Sequence, residues 1–442
     1  MTPSRRGVLG GAGLVGLFAA TPAAEADEQS QAFLQTTLER YFAFGEKASG
    51  GAGDQASGAW LEEELGHLGY VCRRQAFEVP FFEVRQASLM CGQTHAAVIP
   101  QAIVAPTGAQ GLSAPLRLAN RNEDLAGAIA LVELPHKRWT SLADPQVARP
   151  LEDALRRGAA GVVLITTGPT GEAIALNVST RRPQVDRPVA ILAPKEAAPF
   201  LAAAAQAGRA NLTLDGQGGR RPAFNLIAHL DRKAAKTLVI STPRSGWFGC
   251  AAERGSGLAI WLWLARELAH ANPSVNVELL ATSGHEYEYL GGEHYLSEAA
   301  PSAPATQLWV HIGASAAARD WHELGARLLP LPSAETQRVL TATPDVLDKT
   351  RLAFRGIGGL EATYEATKAM AGGELINVIN SGYKTAIGLY GAHRYFHTRS
   401  DDLRCVSADL VLPVATAFWT AIGECLGQPV RHRSRSSRAA RS

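Results

Sequence analysis

Apolar positions near the start of the chain recur with helical spacing and then switch to strand spacing. Residues 33–71 read as helical: Leu61, Leu65 and Leu68 share one face, and Gly69 supplies a stop. A strand-like Phe77-Glu78-Val79 follows. From 97 to 218 the pattern predicts a separate, smaller α/β module. Short apolar runs at 129–133, 160–165 and 188–192 read as strands, with helices at 151–158 and 199–208.

Beyond 225–228 the longer segments resume. The unbroken apolar run 237–241 predicts a strand buried on both faces. A helix over 255–271 opens at Gly255-Ser256-Gly257, and its Trp261 and Trp263 read as core packing. Residues 276–281 form a strand leading into Gly284-His285-Glu286, 307–310 one leading into His311, and 385–390 one leading into a 393–402 loop. Strands alternating with helices predict a three-layer α/β/α fold with a mostly parallel central sheet, into which the smaller module is inserted. In such sheets ligands gather beyond the carboxyl ends of the strands, where polar residues recur here.

The length of 442 residues suits two domains, and 46% apolar with 19% charged residues describes a soluble globular chain. A net charge of +2 excludes an electrostatic nucleic-acid binder. The Arg/Ser-rich end, 429–442, reads as a disordered tail. At the other end Arg5-Arg6 precedes a short apolar stretch and Ala24-Glu25-Ala26, the layout of a twin-arginine signal peptide over 1–26. That stretch is too short for a stable membrane span. A periplasmic or secreted chain is expected, with a main domain over 27–96 and 219–428 and the insertion over 97–218. The five cysteines form no Cys-x-x-Cys pair, so thiolate zinc is not expected; an oxidising compartment permits disulfides.

Glu253, Glu286, His311 and His397 are the candidate metal ligands, since two carboxylates and two imidazoles suit zinc. His285-Glu286-Tyr287-Glu288-Tyr289 is not a His-Glu-x-x-His site, because Tyr289 stands where the second histidine is needed. Tyr287 and Tyr289 flank this loop as candidate substrate contacts.

The segments Glu253-Arg254-Gly255-Ser256-Gly257, His285-Glu286-Tyr287-Glu288-Tyr289-Leu290-Gly291-Gly292 and His397-Thr398-Arg399-Ser400-Asp401 carry a resemblance. They resemble the Asp-Asn-x-Ser-Gly, Glu-Glu-x-Gly-Leu-x-Gly-Ser and His-Thr-x-x-Asp motifs of the co-catalytic zinc exopeptidases. Those include leucyl aminopeptidases, glutamate carboxypeptidase and glutaminyl cyclase. The resemblance covers most of the chain after residue 26, and the insertion resembles a protease-associated domain. It implies that Glu253 takes the metal-bridging position, with Glu286 and His397 on the second metal. His311 stands for the first metal's remaining carboxylate, and His285 for the general-base Glu. Thr242 and Arg244 replace that first metal's His and the Asp orienting it.

An arginine cannot be deprotonated, so Arg244 is expected to repel a second ion. One zinc per chain follows, held by Glu253, Glu286 and His397, with His311 nearby. His285 would serve as general base or acid, and Arg244 as an electrostatic clamp. The implied activity is a zinc-dependent exopeptidase or amide hydrolase acting on a peptide or N-acyl amino acid. The alternatives are an inactive binding module and a glutaminyl-cyclase-like acyltransferase.

Overall fold

The structure, a computed structural model, describes residues 22–427 except 122–123, 182–184, 207, 272–273 and 326. The twin-arginine motif and the basic tail lie outside the described residues.

Glycines with left-handed backbone, Gly45 at φ +76° and Gly50 at φ +67°, split the predicted first helix. It becomes α1 (Pro22–Ala43) and α2 (Ala52–His67). The chain then enters β1 (Val71–Cys91), a strand of 21 residues. β2 (Thr94–Pro100), β3 (Leu112–Leu118), β4 (Ile129–Glu133), α3 (Pro145–Arg156), β5 (Gly161–Ile165), β6 (Val189–Leu192) and α4 (Pro194–Ala205) follow. The return strand β7 (Arg209–Leu230) pairs antiparallel with β1 from Met90↔Asn211 to Val71↔His229. Because β1 also pairs β2, the order β1-β2-β6-β5-β4-β3-β7 closes on itself. One apolar core of this insertion includes Leu131, Leu212 and Phe200 of α4. A second includes Val132, Leu164 and Val147 of α3.

The main domain continues through β8 (Thr237–Pro243), α5 (Gly255–His270), β9 (Asn276–Thr282), α6 (Leu290–Glu298) and β10 (Thr306–Ile312). A hairpin of β11 (Arg319–Leu324) and β12 (Arg327–Ala334) precedes β13 (Arg338–Ala342), α7 (Leu347–Ala353) and β14 (Thr363–Glu365). α8 (Leu375–Asn380), β15 (Ala386–Gly391) and α9 (Ala408–Cys425) complete it. The sheet runs β1-β7-β9-β8-β10-β15-β13-β14. Its centre, β9-β8-β10-β15, is parallel throughout, as is the edge pair β13–β14; antiparallel pairs at β7–β9 and β15–β13 join these to the rest of the sheet.

α1, α5 and α9 cover one face of the sheet, where Trp261 donates to the Ile240 carbonyl and Trp263 packs edge-on to Trp419. α6 and α8 cover the other around Tyr295, Trp309 and Leu375. By length and composition α9 would span a membrane, but Val411, Phe418 and Ile422 are buried in this core. All five cysteines are free, so the disulfides that an oxidising compartment permits are not formed.

Candidate functional site

The parallel strands end together, and their ends carry the polar groups. A buried turn after β8 leads to Glu253 at the start of α5, and His285 and Glu286 form a tight turn after β9. His311 sits near the end of β10 and His397 in the loop after β15. The local backbone is strained: Cys250, Glu288, Tyr289 and His397 all have positive φ.

Glu253 and His397 converge. His397 Nδ1 donates to the Ala175 carbonyl at 2.8 Å, which turns Nε2 towards Glu253 Oε1, 3.2 Å away. The same Oε1 lies 2.7 Å from Nη2 of Arg254, and both side chains are fully buried. Burial alone would raise the Glu253 carboxyl, but Arg254 and His397 outweigh it and hold it near about 2. Glu253 is therefore ionised.

Glu286 is held by two serines. Its Oε1 accepts from the Ser49 amide at 2.9 Å, and its Oε2 accepts from the hydroxyls of Ser49 and Ser245, each at 2.7 Å. Burial pushes its pKa up against those donors. His311 Nδ1 lies 3.0 Å from the Ser241 hydroxyl, and burial, partly opposed by Glu374, lowers it to about 4. His285 Nδ1 lies 3.2 Å from Glu374 Oε1, which also accepts from the Thr282 hydroxyl at 2.7 Å. Burial and then the Arg254 charge push His285 well below its ordinary value, so its imidazole is neutral.

Arg244 is not part of this group. A buried guanidinium must find a carboxylate, and Arg244 finds Asp54 of α2, with Nε 3.0 Å from Oδ1. Its Nη1 donates to the Ala281 carbonyl at 3.0 Å, and it stacks on Phe224 at 4.3 Å. Gly58 makes this possible, since a Cβ there would sit 2.5 Å from the Phe224 ring and 3.0 Å from Arg244 Nε. The expectation that Arg244 repels a second metal or clamps a substrate is thus corrected: its charge is spent on Asp54. Tyr287 donates to the Pro80 carbonyl at 2.5 Å and joins an apolar cluster with Phe77 and Val178. Tyr289 packs edge-on to His285, with centroids 4.8 Å apart.

Four contributors were not singled out from the sequence. Arg254 was visible only as the residue after Glu253, and Ser49 and Glu374 belong to no motif. A strap at 173–178 from the insertion had no signal at all. Ala175 donates to the His397 carbonyl at 3.0 Å, and Val178 to the Glu286 carbonyl at 2.9 Å. Asn177 Oδ1 accepts from Trp247 at 2.8 Å.

A catalytic zinc takes three protein ligands. Glu253 and His397 are disposed to supply two, but the oxygens of Glu286 are already engaged and a guanidinium already abuts Glu253. A divalent ion about 4 Å from a fixed unit charge meets about 8 kcal/mol of repulsion at the effective dielectric of such sites. Among the described residues, the three donors that lie within 4.8 Å of one another are His393, Asp401 and Cys405. There the Asp401 oxygens already accept from the Ala252 and Glu253 amides at 2.8 and 2.9 Å, and burial pushes the Cys405 thiol up. That cluster orients Glu253. The residues present do not fit a zinc ion as they stand.

Residues 211–326 match Peptidase family M28. A search of curated proteins finds no match. Among solved structures, the chain is similar to a zinc aminopeptidase from Bacillus subtilis, with 17% identity, 92% of this chain and 97% of that one covered, and a TM-score of 0.70. The Peptidase M28 precursor of Shewanella amazonensis gives 16%, 92%, 96% and 0.69. An aminopeptidase from Aneurinibacillus sp. strain AM-1 gives 14%, 91%, 95% and 0.63. At these identities what is shared is the fold.

Proposed function

We propose that the chain is a peptidase-like hydrolase of peptides or related amides, in which His285 moves the proton. The observation that carries this is the His285–Glu374 pair: a neutral imidazole at a strand end, oriented by a carboxylate 3.2 Å from Nδ1. His285 would take a proton from attacking water and return it to the leaving amine, while the Arg254 guanidinium stabilises negative charge developing on the carbonyl oxygen. The match of residues 211–326 to Peptidase family M28 supports the reaction class. Turnover of aminoacyl and peptidyl amides by the purified chain tests it. His285→Ala is expected to lower kcat by about 10²–10⁴-fold with KM little changed. A folded wild-type chain without turnover across that panel would sink the proposal. Including N-terminal Gln peptides separates hydrolysis from cyclisation.

A second reading, a catalytically silent module that binds peptides, is favoured by the strap of residues 173–178 across the His397 and Glu286 backbones. Saturable peptide binding without turnover would select it. On the twin-arginine pattern we place either role outside the cytoplasm; cell fractionation decides that point.

A further inference from the structure

We infer that Arg254 is the resident cation of this centre, standing against Glu253 and His397 in place of a zinc ion, so that the folded chain takes up no zinc there. Four observations carry the inference. Glu253 Oε1 receives Arg254 Nη2 at 2.7 Å from one side and lies 3.2 Å from His397 Nε2 on the other. A cation is thus already seated on the carboxylate at which the histidine converges.

The guanidinium is held from behind, with Nε donating to the Ser245 carbonyl at 2.8 Å. Nη1 and Nη2 are buried and, among the described residues, find no hydrogen-bond acceptor, with the Glu253 carboxylate the one in ion-pair contact. The turn also makes room for it. A Cβ on Gly246 would come within 3.1 Å of Arg254 Nε and 3.3 Å of its Cγ, so glycine there admits the side chain. Finally, both oxygens of Glu286 accept from Ser49 and Ser245, so a zinc at Glu253 and His397 would have to draw its third donor away from those hydroxyls.

One ionised carboxylate, that of Glu253, is in direct contact with the guanidinium. A planar guanidinium differs from zinc in one respect that matters. It donates hydrogen bonds and cannot accept a lone pair, so it stabilises an oxyanion without activating a bound water.

The test is metal content. The full chain, purified without chelator, is incubated with zinc, desalted and measured by elemental analysis. Wild type is expected to hold no stoichiometric zinc, with a Tm that neither zinc nor EDTA moves. One zinc per chain, or a zinc-dependent rise in Tm, would overturn the inference. Arg254→Asn removes the cation and leaves Glu253 unpaired. It is expected to gain zinc and a zinc-dependent Tm rise, both lost again in Arg254→Asn/His397→Ala. A folded Arg254→Asn that stays zinc-free would also count against it. If that variant does not fold, Glu253→Gln/Arg254→Met removes the pair together, and its folding with unchanged zinc content is the expected result. One zinc per chain in this double variant would overturn the inference. These readouts need no turnover, so the inference and the hydrolase proposal fail separately.

Discussion

Arg244 and Arg254 stand ten positions apart, both fully buried, and each is matched by one carboxylate. For Arg244 the consequence is structural. Removing one partner of a buried pair leaves the other charge desolvated, so Arg244→Met is expected to lower stability by about 3–5 kcal/mol in denaturant titrations, and Asp54→Asn/Arg244→Met by much less. A loss below about 1 kcal/mol for the single variant would show that the pair is hydrated. Sequence alone could assign residue types to strand ends but not the direction of these side chains. Arg244 and Arg254 are equally plausible neighbours of a metal in one dimension. Asp54, nearly 200 positions away in sequence, decides where Arg244 goes. The same holds for Glu286, whose oxygens are claimed by Ser49 on a loop that carries no motif.

At the level of elements, the parallel strands β8, β9, β10 and β15 were legible because each is a dense apolar run. The long pair β1 and β7 was not, because stretches such as Arg73-Arg74-Gln75 and Gly218-Gly219-Arg220-Arg221 carry too many polar residues to read as strand. What makes them strands is pairing with each other along their whole length. The tight turn after β9 depends on Gly284 at φ +80°, and a Cβ there would sit 3.2 Å from the Gly291 amide and from the Phe77 ring. Gly284→Ala is expected to cost about 1–2 kcal/mol from the backbone alone. It should also displace His285, so turnover would fall by more than the stability loss explains. Unchanged activity in a folded Gly284→Ala would mean that the turn does not set the position of His285. The strap is tied to the main domain in part through Asn177 and Trp247. Asn177→Ala is expected to raise the rate at which an imidazole-specific reagent modifies His285, because that side chain is buried and the strap is bonded to the carbonyl of the adjacent Glu286.

Across the whole molecule, the shared strands turn an insertion into a coupled part. One half of each of β1 and β7 closes the inserted barrel, and the other half extends the main sheet. Loops connecting independent domains let each unfold alone, whereas two continuous strands transmit loss of pairing from one core to the other. Leu131, nearly inaccessible within the barrel core, offers a probe remote from the candidate site. Leu131→Ala should cost about 2–5 kcal/mol by leaving a cavity. If the strands couple the cores, thermal unfolding of wild type is a single transition by both calorimetry and tryptophan fluorescence, and Leu131→Ala shifts it as one. Fluorescence then reports the main domain as well, since Trp261, Trp263, Trp309 and Trp419 lie in its cores. A variant in which the barrel melts first while those tryptophans stay native would show that the pairing ends, energetically, at the register shift between Val84 and Gln86.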